Sequence, residues 1–346
     1  MGGHFARAVA LTCASILLAV GCAGPGSSTT PTQKSQPTST IPPATTIAPT
    51  QIPSIAPLAT TIPASTPTAS APSAAGHALR FFGTGRDQVD RVKIRLDDPA
   101  TDLPGPPADT GATDFTIEWW MRADPGENLA PPVECGQGNV NWIFGNIVFD
   151  RDRYNQDRKF GISLVGGRVV FGVSGDGSGD ATLCGDVVVD DGQWHHVAVQ
   201  RRRADGRLWI FVDGRLDAEG AGPTGNVSYP DNGRPLDFCG GPCLDSDPFL
   251  VIGAEKHDAG PEFPSYSGWI DEVRLSSVLR YAGDFSRPTE PFKPDVDTAA
   301  LWHFDEGEGT LVHDMAAGAA SPGEVHVGGP NQGPRWVISD APLTAP

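Results

Sequence analysis

Beyond residue 76 the chain alternates. "FTIEWWMRAD" sets Phe115, Ile117, Trp119 and Met121 against Thr116, Glu118, Trp120 and Arg122. A period of two puts one set on each face of a β-strand. "GISLVGGRVVFGV" predicts two short strands around Gly166-Gly167, and "RRRADGRLWIFVDGRLDAEG" three pieces around Asp205-Gly206 and Asp213-Gly214. Such dipeptides supply the positive φ angles of tight hairpins. Further strands are predicted over 78–83, 88–95, 141–149, 183–190, 249–254, 267–276, 299–304 and 309–313. No long amphipathic helix is evident, although "SVLRYAGDF" predicts one short helical turn. Many short strands without alternating helices predict an all-β, two-sheet antiparallel sandwich or jelly roll.

The first 76 residues follow no such pattern. Residues 1–21 hold one arginine, Arg7, and an apolar run too short to span a bilayer, which reads as a signal peptide. "LLAVGC" resembles the lipobox of bacterial lipoproteins, with Ala19 where that pattern prefers leucine. Cys22 is therefore the expected lipidation site, and the acyl chains there the expected membrane anchor. The alternative is ordinary cleavage at the small residues Ala19 and Gly21. Residues 22–76 are rich in Pro, Thr, Ser and Ala, without aromatic residues, and read as a disordered stalk. The remainder, 77–346, is the globular head, expected to work outside the cell membrane.

Charge narrows the partners. The net charge is −17, and all 42 acids lie beyond residue 75. A domain this acidic lacks the basic stripe that neutralises phosphates, so nucleic acid is excluded as an expected partner. The acidity serves solubility in the plainest reading.

The order of motifs then becomes specific. "DGQWHHVAVQRRRADGRLWIFVDGRLDAEG", "LVIGAEKH" and "YSGWIDEVRLSSVLRY" together resemble the laminin-G-like jelly roll of the concanavalin A-like lectin/glucanase superfamily. "LRFFGTGRDQV" resembles that family's opening strand. "ALWHFDEGEGTLVHDMAAG" resembles a piece that precedes the opening strand in many members, yet it stands here at the C-terminus. Too little chain follows it to bury a separate core, so it is expected to complete the same sandwich in permuted order.

Candidate chemistry can then be weighed. In an exported chain the four cysteines of the head read as disulfides, with three possible connectivities. Cys135–Cys184 and Cys239–Cys243 are the expected pairs, and a zinc site is the weaker rival. His195 and His196 point to opposite faces of one strand and cannot chelate one ion. His195, in line with Val197 and Val199, is expected as a buried imidazole bonded to backbone. Glucanases of the resembled family carry closely spaced acids of the form E-x-D-x-x-E. The nearest candidates here are "WIDEVRL", with Asp271 and Glu272 on opposite faces, and "FDEGEG", a turn-like composition broken by glycine. Adjacent Trp119 and Trp120 cannot both face the interior, so Trp120 is the expected ligand-stacking residue. Specificity is expected in loops 124–140 and 219–248. The resemblance also implies a structural calcium ion, with Asp271, Asp314 and the weaker Asp305 as ligands. The expected function is a non-catalytic binding module for a glycan or extracellular protein. The alternative is a glycoside hydrolase with atypical catalytic acids.

Overall fold

The computed structural model describes residues 76–84, 89–98, 101–231 and 248–344. The signal peptide, Cys22, the stalk and the Cys239–Cys243 pair lie outside these residues. Seventeen strands and one 3-10 turn, Asn141–Phe144, make up the described elements. In chain order the strands are β1 (His77–Phe82), β2 (Arg91–Arg95), β3 (Phe115–Arg122), β4 (Gly136–Gln137), β5 (Asn146–Arg151) and β6 (Lys159–Val165). Then follow β7 (Arg168–Ser174), β8 (Asp180–Val188), β9 (Trp194–Arg201), β10 (Arg207–Val212), β11 (Arg215–Ala221) and β12 (Phe249–Ile252). The last are β13 (Ser267–Ser276), β14 (Thr298–Trp302), β15 (Leu311–Val312), β16 (Gly323–His326) and β17 (Arg335–Ile338).

They form two antiparallel sheets. Sheet A runs β11-β10-β9-β3-β13-β1-β17, with β14 also paired to β13. Sheet B runs β15-β16-β2-β12-β5-β6-β7-β8-β4. The alternation that predicts the strands also builds the core between the sheets. Phe115, Ile117, Trp119 and Met121 of β3 meet Val148, Phe149, Phe160, Ile162 and Phe171 of sheet B. The β6–β7 hairpin turns through Gly166 and Gly167, both at positive φ. Asp213 (φ 50°) and Gly214 (φ 78°) do the same between β10 and β11.

The C-terminal segment does not fold apart. β14 pairs with β13, β16 with β2, and β17 with β1, so its strands enter both sheets. Two predicted elements differ. Residues 141–144 wind into the 3-10 turn instead of opening a strand, and 277–285 contain no helix. That second segment instead lies over the outer face of sheet A, where Tyr281 and Phe285 stack with ring centroids 3.5 Å apart. No helix among the described residues is long and apolar enough to cross a membrane.

Candidate functional site

Strand alternation places a row of polar groups on the outer face of sheet B. Phe160, Ile162 and Leu164 of β6 face the core, so Lys159, Gly161 and Ser163 face outward. On β5, Arg151 turns inward, its guanidinium 4.8 Å from the Phe160 ring centroid. Asp150 and Asp152 therefore share the outward row. Gly161 lies directly opposite Gly172 of β7. Over this glycine pair lies the Trp142 indole. A Cβ at Gly161 would fall 1.9 Å from Trp142, and one at Gly172 1.8 Å from it. The two glycines are thus the space in which the indole lies. Ser163 Oγ donates to the Trp142 carbonyl at 2.7 Å and ties the 3-10 turn to β6.

Above this floor opens a cleft of about 300 Å³. Trp142, Ile143, Ile147, Tyr154 and Phe263 supply its apolar lining. Asp150, Asp152, Asn155, Lys159, Glu255 and Asp258 supply its polar lining. The volume lies at the lower end of the range of small-ligand sites, roughly 300–1,000 Å³.

The acids are organised. Asp150 is fully buried, and its two oxygens accept the backbone N–H groups of Asp152 (2.6 Å) and Lys256 (2.9 Å). Burial, then the charges of Glu255 and Asp152, push its carboxyl well above the ordinary range. Asp152 goes the other way. Burial alone would raise it, but the His257 hydrogen bond and the Lys159 charge hold it below the ordinary range. Lys159 Nζ stands 2.9 Å from Asp152 Oδ1. Glu255 Oε2 accepts the backbone N–H groups of His257 and Asp258.

Asp152, Glu255 and His257 bring one ligand atom each within 4.8 Å of one another. Two carboxylates and an imidazole fall short of the six to eight oxygens calcium takes. The Lys159 ammonium already neutralises Asp152. We derive no step through a metal here.

The residues predicted for calcium do not assemble into one ligand set. Asp314 accepts the backbone N–H groups of Leu301, Ala316 and Ser321, so it closes the loop 314–321. Asp305 accepts His77 N–H at 2.7 Å, and Asp271 accepts the Ser339 hydroxyl at 2.5 Å. Glu272 is engaged by the Phe292 N–H and by His303.

Trp120 is corrected most clearly. It has no accessible surface. It packs with Trp194, Phe292 and Leu301, and the Arg287 guanidinium sits 5.1 Å from its ring. The β13–β14 connection covers the outer face on which Trp120 lies, so the ring cannot stack on a ligand. The histidines also differ from expectation. His196 is fully buried, 3.2 Å from Glu118 Oε2. His195 is partly exposed near the start of β9, held by side chains instead of backbone: Asp213 at 2.8 Å and Asp191 at 3.2 Å.

One predicted disulfide is present: Cys135 and Cys184 are bonded, with Cα atoms 5.9 Å apart. It fastens the loop before the 3-10 turn to β8. Cys184 packs against the cluster of Trp142, Ile147 and Val170 beneath the cleft.

A two-sheet jelly roll with a lined cleft on one outer face defines the class. Residues 97–283, more than half of the chain, match the laminin-G family model described as the concanavalin A-like lectin/glucanases superfamily. The chain belongs to that family. No curated protein matches it. Among solved structures it is similar to an inferred carbohydrate-binding protein from Bacteroides ovatus ATCC 8483, with 15% identity and a TM-score of 0.45. That match covers 78% of this chain and 62% of the other, so the chain spans less than two thirds of that protein. It is also similar to domains LG4-5 of the mouse laminin α1 chain: 16% identity, TM-score 0.35, covering 59% of this chain and 42% of that one. A third is a Ruminococcus gnavus sialidase CBM40 bound to α2,3-sialyllactose: 17% identity, TM-score 0.34, covering 58% and 93%.

Proposed function

We propose that the head is a glycan-binding module without catalytic activity, displayed outside the cell membrane on an acyl anchor at Cys22. The cleft on the outer face of sheet B carries this reading. Sugar rings present an apolar face and a rim of hydroxyls. The cleft offers matching partners: Tyr154 and Phe263 as aromatic walls, with Asn155, Lys159 and Asp258 as hydrogen-bonding groups at the same opening. The family's description names lectins and glucanases, both of which handle sugars. A glycan array with the full chain in detergent tests the reading. Selective binding that Tyr154→Ala abolishes supports it. Binding untouched by Tyr154→Ala and by Phe263→Ala overturns it.

A glycoside hydrolase is the second reading, and one observation favours it. Asp150 and Asp152 lie in one cleft with their acidities pushed apart, the arrangement that separates an acid from a base. Against it, both Asp150 oxygens already accept backbone N–H bonds. Incubation of each bound glycan with the chain, followed by a reducing-end assay, decides. New reducing ends that Asp152→Asn removes would make the protein an enzyme.

A further inference from the structure

A second depression of about 400 Å³ lies beside the cleft, lined by Pro131, Pro132, Glu134, Asn141, Phe144 and Glu262 among others. The two share the 3-10 turn and the 260–263 loop. Trp142, Ile143 and Phe263 face the first, and Asn141, Phe144 and Glu262 face the second. Between them stand Phe144 and Phe263, stacked with centroids 5.6 Å apart and planes 18° apart. Both rings are partly exposed. A stacked, partly wetted aromatic pair between two hollows is a ridge on which a chain of rings can lie.

Among the described residues the charge along this path has one sign. Glu134, Asp258 and Glu262 are exposed and pair with no cation among the described residues. The one lysine lining either hollow among the described residues, Lys159, is held by Asp152. An anionic sugar would meet uncompensated carboxylates, whereas an ammonium group would find partners at either hollow.

We propose that the two hollows form one groove whose occupant is an oligosaccharide of amino sugars, laid across the Phe144–Phe263 ridge with its ammonium groups toward Glu134, Asp258 and Glu262. This rests on the glycan-binding reading and narrows it to a ligand class and a length. A single ring fills one hollow, and a chain must cross the ridge to fill both.

Calorimetry on the full chain in detergent at pH 5.5 is the test. The probes are glucosamine dimer and tetramer, the N-acetylated tetramer, a glucuronate-containing tetramer and tetralysine. The glucosamine tetramer is expected to bind at least tenfold tighter than its dimer and than the acetylated tetramer. Added salt should shrink its advantage over the acetylated tetramer, because exposed charges are screened. Phe263→Ala should bring the tetramer down to the dimer's affinity. Glu262→Gln, an exposed and nearly isosteric change, should weaken the glucosamine tetramer about threefold and the acetylated one by less, since only the former presents an ammonium group. Acetylated or acidic tetramers binding as tightly as the amino form would overturn the charge argument. A tetramer no better than a dimer would overturn the single groove, and tetralysine matching the sugar would assign the groove to a basic peptide. If no sugar binds, on the array or here, the failure belongs to the glycan-binding reading itself.

Discussion

At the scale of single residues, the most informative positions are those where a small change has one physical reading. Gly172→Ala places a methyl group inside the volume of the Trp142 indole. Overpacking of this kind costs about 1–3 kcal/mol. The indole must lift, so urea denaturation should show that loss, and glycan affinity should fall with it. Glu118 is the second such position. It lies fully buried, 2.7 Å from Arg274 Nη2, and accepts the Tyr281 hydroxyl at 2.6 Å. Burial would raise its pKa, but the bond from His196 and the charge of Arg274 reverse the sign and hold it below the ordinary value. Its contribution is present above the unfolded value near 4.5 and fades as pH falls through the folded one. Glu118→Gln should cost about 3 kcal/mol at neutral pH, the scale for breaking a buried pair. Stability measured against pH should then show a shallower acid limb. His195 has the opposite sign. Burial would lower it, but Asp213 and Asp191 raise it above 6.5. Its contribution is complete below pH 6.5 and is lost as pH rises through the folded value. His195→Gln should flatten the decline in melting temperature above pH 6.5, and an unchanged profile would count against these ion pairs.

At the scale of elements, the strands that alternate were legible and the covered faces were not. β3, β9, β10 and β13 follow from period-two patterning and Asp-Gly turns, because the pattern and the core are the same fact. Trp120 misled because the face it occupies is closed by residues 281–292, a segment with no periodicity of its own. The cleft was missed for a related reason. Asp152, Lys159 and Glu255 meet only because β5 pairs with both β6 and β12, and no local spacing announces that. Asp150-x-Asp152 and Glu255-x-His257 were the available signal: polar residues at strand period at the end of an apolar run. The Cys135–Cys184 bond closes a separation of 49 residues. Cross-links of that span stabilise by about 2–4 kcal/mol. Reduction should lower the denaturation midpoint accordingly. Glycan binding should weaken more than the fold does, since the bond anchors the loop beside Trp142. Equal affinity before and after reduction would show that the cleft wall stands without it.

At the scale of the whole molecule, the C-terminal strands extend both sheets, β17 at one edge of sheet A and β15 and β16 at one edge of sheet B, and the β13–β14 connection covers the outer face of sheet A around Trp120 and His196. The lined cleft on the outer face of sheet B, between the 3-10 turn and the 255–263 loop, is the proposed recognition surface. The most direct measurement is hydrogen–deuterium exchange of the full chain with and without the tightest glycan from the array. Added protection is expected in 141–159 and 255–263, with little change in β9 to β11. Protection centred on sheet A, or spread evenly over both sheets, would contradict it.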